Sequence, residues 1–317
     1  MEQLYSLLRS VSIFFLLVIF IQILKKRDIF NTSHLPVFGK LITELILPIT
    51  IFSTLAVSRI QFNLLYGAGI YLAASLFTCG LAYLICRTLH FSDGITGSIV
   101  ILAGFGSTST IAYPIISQTF GAGSEAMANA LIIGEFGSCI PFYTIGILIL
   151  AYFGSKAGNR DYKAATILKS FMSTPVFFAL VSGLIISQIQ PISDLLTTGF
   201  FNDFFAYFNN GFEILVAITI GLMLKPVRIT EILPYLIITL PLSLILMPVL
   251  IFSGATLIGI PEITREILLI EASVPSGAIA AVMSERYGCD GTLSSMIVII
   301  SFLVSLVTLP ALSILLL

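Results

Sequence analysis

The chain is 317 residues long, 57% hydrophobic and 10% charged, with a formal charge of −1 at pH 7. A soluble domain of this length carries about 25% charged residues, so a mean hydropathy of +1.08 marks a polytopic membrane protein whose first partner is the lipid bilayer. No basic face exists that could serve nucleic acid, which excludes that class of partner.

Hydropathy predicts ten spans, at about 8–24, 37–57, 64–87, 95–119, 126–153, 166–188, 204–224, 230–253, 264–286 and 292–316. A hydrocarbon core of roughly 30 Å asks for about 20 residues of helix. The first span follows Met1-Glu2-Gln3 rather than a basic run. It leads into Lys25-Lys26-Arg27 without a small-residue cleavage site, so it reads as a membrane helix rather than a signal that is removed. Asn31-Thr32-Ser33 matches a glycosylation acceptor by chance, because it falls on the cytoplasmic side. Cys79, Cys86, Cys139 and Cys289 lack metal-ligand spacing and read as small core residues. Between the sixth and seventh spans, Pro191, Asp194, Asp203 and Asn209-Asn210-Gly211 interrupt the hydrophobicity, and a short surface helix is expected there.

Basic residues set the orientation. Lys25, Lys26, Arg27, Lys40, Arg87, Lys156, Arg160, Lys163, Lys169, Lys225, Arg228 and Arg286 lie by the loops after odd-numbered spans, and only Arg9, Arg59 and Arg265 lie on the other side. Twelve against three puts both termini outside, in a multi-pass protein of the plasma (inner) membrane.

The longest polar break, Gly154–Lys163, leaves five spans on each side. An odd number per half inserts the halves in opposite senses. The expected fold is therefore all-α: ten transmembrane helices as two inverted five-helix repeats, residues 1–158 and 159–317. A shift of 167 lays the fourth span on the ninth, matching Gly106 with Ser273, Thr108 with Pro275, Ser109 with Ser276, Phe120 with Tyr287 and Gly121 with Gly288. Both spans carry helix breakers in mid-membrane, the pattern of an inverted-repeat transporter.

In the fourth span the breakers are Gly104, Gly106, four hydroxyl residues from Ser107 to Thr110, and Pro114. Proline removes a backbone donor, and in lipid the freed groups must find protein, water or ligand. A Gly/Ser/Thr packing seam would use the same residues. The ninth span carries Glu271-Ala272-Ser273-Val274-Pro275-Ser276-Gly277, with Glu271 one turn before the proline. A carboxylate inside the membrane is costly and is by default a functional candidate.

All six aspartates lie in loops or at span ends, whereas Glu44, Glu135, Glu213 and Glu271 fall inside spans. Glu44 follows Lys40 by four residues, as a helix-end ion pair would. Asn129 and Glu135 lie on the fifth span, tied closely to the fourth through Gly121–Glu125, so a polar cluster of spans four, five and nine is expected. If spans four and nine unwind and cross, two half-helix N-termini point at one centre and favour an anion. Unwound carbonyls, hydroxyls and Glu271 beside them would hold a cation.

At Ser107–Pro114, and from Val274-Pro275-Ser276-Gly277 through Tyr287-Gly288-Cys289-Asp290, the chain resembles the auxin efflux carrier family. The likeness extends to its wider superfamily, which includes the bile acid/sodium symporters. The resemblance implies ten helices, a scaffold of spans 1, 2, 6 and 7, a mobile core of spans 3–5 and 8–10, and secondary transport of organic carboxylates. The plant carriers usually have an asparagine beside the fourth-span proline, and Gly104–Pro114 has none. Glu271 matches the sodium-binding glutamate of the symporters, which have Gln-Asn where this chain has Pro275-Ser276 and Ser-Asn where it has Ser109-Thr110.

The expected function is secondary active transport of a small organic anion by elevator-type alternating access, with a channel or facilitator as the alternative. Candidate substrate residues are Ser107, Thr108, Ser109, Thr110, Pro114, Val274, Pro275, Ser276 and Gly277. Candidate ion-coupling residues are Glu271, Ser109, Thr110, Asn129 and Glu135, with Glu271 as ligand to a sodium ion. The neutral oxygens favour sodium as the coupling ion, with the proton as the other choice. No further cofactor is expected, and a homodimer is left open. An intramembrane protease would need paired aspartates, a zinc motif or a serine–histidine pair, and the two histidines, His34 and His90, lie at span ends.

Overall fold

The computed structural model describes residues 2–57, 64–121, 124–158, 168–169, 172–224 and 228–316. In chain order they form α1 (Glu2–Lys26), α2 (Thr32–Val57), α3 (Leu65–Thr88), α4 (Asp93–Gly104), α5 (Tyr113–Phe120) and α6 (125–157). There follow α7 (Pro175–Ser187), α8 (Gln190–Leu196), α9 (Gly199–Met223), α10 (Ile229–Ile258), α11 (Glu262–Ala272), α12 (Ala278–Arg286) and α13 (Gly291–Leu316). Among the described residues there is no strand, only a one-residue antiparallel bridge between Gly106 and Ser276.

Six of these helices are long and apolar enough to cross a membrane: α2, α3, Asn129–Ala157 of α6, α9, α10 and α13. The pair α7 and α8, bent by 114°, makes a seventh if taken as one span. Among the described residues, direct crossings counted by length and composition number six or seven, against the ten spans read from hydropathy. Two of the missing spans are the fourth and ninth, each divided into half-helices that are too short alone. The short helix expected after the sixth span is α8, with Pro191 in its first turn, where proline costs least. The far part of the central polar break, from residue 159 to Lys163, lies outside the described residues, as do Arg59 and Lys225.

Prolines shape the long helices in a regular way. Four of the five described π turns, Ile42–Ile46, Thr108–Ala112, Glu135–Cys139 and Leu242–Leu246, end two residues before a proline: Pro48, Pro114, Pro141 and Pro248. Proline offers no N–H to the carbonyl four residues back, and its ring crowds that carbonyl. Widening the preceding turn relieves the clash without ending the helix. The fifth π turn, Phe142–Gly146, has no such proline.

Helix ends that the basic residues assign to one side lie together. Lys25 Nζ, at the end of α1, donates to Leu222 O at 2.9 Å and Leu224 O at 2.7 Å, at the end of α9. Arg87 Nη2 lies 3.2 Å from Asp93 Oδ1, joining α3 to α4, and Asp290 N donates to Gly94 O at 3.3 Å. Glu44 forms an ion pair, as expected, but not with Lys40 as its partner. Its Oε1 lies 2.8 Å from Arg286 Nη2 at the far end of α12. Packing between helices brought that partner, which no spacing along one helix could indicate.

The helices pack as two sets. The most extensive pairing in the molecule is α2 with α7, and α9 packs on both α1 and α2. In the other set α3 packs on α4 and α6, α11 on α10 and α6, and α4 on α12 and α13. The sets meet chiefly along α1 with α5 and α9 with α12. Small residues allow close approach inside the second set: a Cβ on Gly137 of α6 would sit 2.8 Å from Tyr71 Cβ and 3.0 Å from Ala68 O.

Candidate functional site

Both broken spans unwind in mid-molecule and pair there. α4 stops at Gly104, and Phe105 and Ser107 leave helical geometry before the turn Thr108–Ala112 begins. On the other chain segment α11 stops at Ala272 and α12 begins at Ala278. Ser107 N donates to Pro275 O at 2.8 Å and Gly277 N to Phe105 O at 3.0 Å. Two segments that each lost their helical bonds thereby satisfy one another. Ser276 Oγ donates to Leu102 O at 2.8 Å, and Ser276 N donates to Ser301 Oγ at 3.2 Å.

The breaks differ in detail from the sequence reading. Pro114 is not in the unwound part. It is the second residue of α5, and the break lies upstream at Phe105–Ser107. Glu271 and Pro275 share no helix face, because α11 ends between them. Beyond the breaks, the paired half-helices end alike: Gly121 follows α5 with φ 96° and Gly288 follows α12 with φ 84°. These are two residues that the shift of 167 superposes, and glycine is the residue that adopts this backbone without strain.

Beside the crossing lies a narrow cleft. Ser107 and Thr108 line one side, Gly277 to Ala280 another, Ser138, Cys139, Phe142 and Tyr143 of α6 a third, and Phe212 and Val216 of α9 close it. None of the described lining residues is charged. Gly277 caps α12 without a side-chain bond, and Ser107 likewise leaves the start of the turn at Thr108 uncapped. Two helical starts therefore border one apolar-walled space, and a helical start carries partial positive charge.

Of the candidate substrate residues, Ser107, Thr108 and Gly277 line the cleft. Val274 packs against Gly106, where an added Cβ would meet its Cγ2 at 3.0 Å. Pro275 contributes its carbonyl to the crossing, and Ser276 is fully buried. The side chains of Ser109, Thr110 and Glu213 lie outside the described residues. Sequence reasoning missed the walls from α6 and α9. Cys139 was read only as a core residue, although its Sγ lies 3.4 Å from Thr108 Oγ1.

Behind the crossing the second group assembles. Glu271 is fully buried, and neither carboxylate oxygen has a hydrogen-bond partner. Its main-chain carbonyl accepts from Tyr71 OH at 3.2 Å. Glu135, also buried, accepts at Oε1 from Tyr113 OH at 3.1 Å. Gly134 brings the two acids to the same place: a Cβ there would lie 2.5 Å from Tyr113 Oη and 3.1 Å from Glu271 Oε1. Asn129 is buried with its Oδ1 unpartnered. Residues of spans four, five and nine do converge. Among the described residues no cluster of three or more His, Cys, Asp or Glu could hold a metal ion.

A family model for membrane transport proteins, the auxin efflux carrier type, matches residues 7–313. The chain belongs to this family. It is a transporter-family protein and, with its apolar helices, a multi-pass integral membrane protein. Two proteins of similar sequence are described as uncharacterised transporters. The one from Methanothermobacter thermautotrophicus is 25% identical over 236 residues, which is 74% of this chain and 73% of that protein. The one from Methanocaldococcus jannaschii is 24% identical over 267 residues, 83% of each chain.

Proposed function

We propose that this transporter-family protein is a secondary active carrier for a small organic anion, a carboxylate being the favoured class. One observation carries the reading: two uncapped helical starts, at Thr108 and Ala278, face the same uncharged, apolar-walled cleft. Backbone N–H groups there would hold the charged end of the substrate, and Phe105, Phe142, Tyr143 and Phe212 would hold its apolar part.

Coupling is assigned to Glu271, with Glu135 near it and the buried Asn129 on the same α6 as Glu135. A buried carboxylate without a partner is strongly disfavoured as an isolated charge, so Glu271 takes up either sodium or a proton. Binding there and at the crossing would be linked, because Glu271 precedes the unwound segment by two residues. The packing into two sets supports an elevator movement. In it α1, α2, α7 and α9 stay in place while α3–α6 and α10–α13 carry the crossing across the membrane. The ten-span, inverted-repeat division at residues 158 and 159 belongs to this same reading.

The test is a thermal-shift panel of monocarboxylates on the purified protein, each with sodium, potassium and pH varied, followed by uptake into proteoliposomes. A native-state ligand raises apparent stability by mass action. A carboxylate that stabilises the protein more in sodium or at low pH, and is taken up saturably, is expected. Ohmic current without saturable uptake would replace the carrier with a channel. A panel with no shift and no uptake would remove the organic anion.

A further inference from the structure

A second cavity lies between α2, α9 and α12. Thr32, Pro36 and Gly39 of α2, Thr219 of α9, and Val282, Glu285 and Arg286 of α12 are among the residues that line it. Its register relates it to the cleft at the crossing. On α12 the cleft takes Ala278 and the second cavity takes Val282 and Arg286, a spacing of four that keeps to one helix face. On α9 the cleft takes Phe212 and Val216 and the second cavity takes Thr219, again one face. The same faces of two helices in mutual contact therefore line both spaces, separated by about one turn of about 5.4 Å.

The charges at the outer space are arranged unequally. Arg286 reaches Glu44 Oε1 at 2.8 Å, and its side chain is still 35% exposed. Glu285 turns its carboxylate towards Gly291, the first residue of α13, where the helix start favours a negative charge. Among the described lining residues Arg286 is the cation and Glu285 the acid, and Arg286 is held by an exposed carboxylate, Glu44, that is 52% accessible. Such a pair contributes little to stability and exchanges partners readily.

We propose that the second cavity is the vestibule through which a small organic anion enters or leaves the cleft. Arg286 is its anion station, and Glu44 is the internal competitor that the anion displaces. The turn of contact between Val216–Thr219 and Ala278–Val282 is the gate. The inference rests on the reading of the cleft as an anion site, but its test needs no substrate.

The native Cys139 lies in the cleft, while Cys79, Cys86 and Cys289 are buried. Its labelling by the organic anion 2-sulfonatoethyl methanethiosulfonate, and by the neutral methyl methanethiosulfonate, reports arrival in the cleft. Reagent is added from the Arg286 side of oriented vesicles. Arg286→Gln is expected to slow the anionic reagent about fivefold and Glu44→Gln to speed it, because one unit charge near contact in water changes local anion occupancy by about that factor. The neutral reagent should be unchanged in both variants. Thr219→Trp, which fills the gate, should slow both reagents. A structural ion pair away from the route predicts no effect of any of the three changes, and that result would overturn the vestibule. So would failure of the neutral reagent to label either Cys139 or an Ile279→Cys thiol in the same cleft. Opposite effects of Arg286→Gln and Glu44→Gln on labelling, together with an inactive carboxylate panel, would uphold the route and reject the substrate class.

Discussion

Glu271 shows how a single residue can be legible in part. Its burial follows from an acidic residue inside an apolar span, and its importance from the cost of placing it there. Its neighbours do not follow. Tyr113 and Gly134 bring it beside Glu135, and neither carries a signal in the sequence that would name it. Glu271→Gln keeps the shape and removes the charge. It is expected to abolish the sodium- or proton-dependent part of thermal stabilisation while the protein stays folded, read by the same melting assay with the cation varied. Cation dependence that survives in the glutamine variant would move coupling to Glu135 or away from this cluster. A second residue-scale prediction concerns Gly154, whose Cα lies against the Tyr287 carbonyl and Gly288. No rotamer can relieve a Cβ that meets backbone. Gly154→Ala should therefore destabilise by about 2 kcal/mol, within the range for overpacking, measured as a lowered denaturation midpoint in detergent. An unchanged midpoint would mean that α6 and the 287–288 turn can separate without cost.

At the scale of the element, the prolines account for most departures from regular helix. Four of them follow a widened turn at a constant interval of two residues, so the local cause is covalent. Pro248→Ala is expected to let Leu242–Leu246 close into ordinary α-helix, visible in an experimental structure of the variant. A turn that stays wide would show that packing of α10 against α3 and α4, rather than the proline, holds it open. Caps behave as ordinary local chemistry. Thr174 Oγ1 accepts from Phe177 N at 3.3 Å at the start of α7, and Thr174→Ala should cost about 1 kcal/mol, checked by the same denaturation. The two unwound segments are different. Glycine, hydroxyl residues and Pro275 make them poor helix, but the strand-like pairing of Gly106 with Ser276 needs the other segment to be present.

At the scale of the molecule, the distribution of basic residues and the gathering of helix ends agree. Lys25 with Leu224, Glu44 with Arg286 and Arg87 with Asp93 all join ends assigned to one face. Cysteines at Ser33 and Gly158 are therefore expected to label from one side of the membrane, the cytoplasmic one, and a cysteine at Glu262 from the other. Labelling of Ser33 and Gly158 from opposite sides would break the assignment of spans between them, and with it the inverted repeat. The partition into two packed sets also belongs to this scale, and the proposed elevator movement would use the boundary between them as its seam. The seam here runs along α9 and α12, where both the cleft and the vestibule open.

Composition, span spacing and charge asymmetry were sufficient to make this chain a multi-pass membrane protein, to mark two broken spans, and to place Ser107, Thr108, Gly277 and Glu271 among the candidate residues. Those features are local in the chain: transfer from water to lipid, backbone propensity and the cost of a buried charge act on a residue whatever its distant neighbours are. Tertiary structure alone decided which groups meet. It supplied the α6 and α9 walls of the cleft, exchanged Lys40 for Arg286 as the partner of Glu44, and turned the Ser276 hydroxyl to Leu102 O rather than into the cleft. Each of these joins residues far apart in the chain through side-chain packing, and hydropathy, which reports only how apolar each stretch is, carries no record of the neighbour that will cover it.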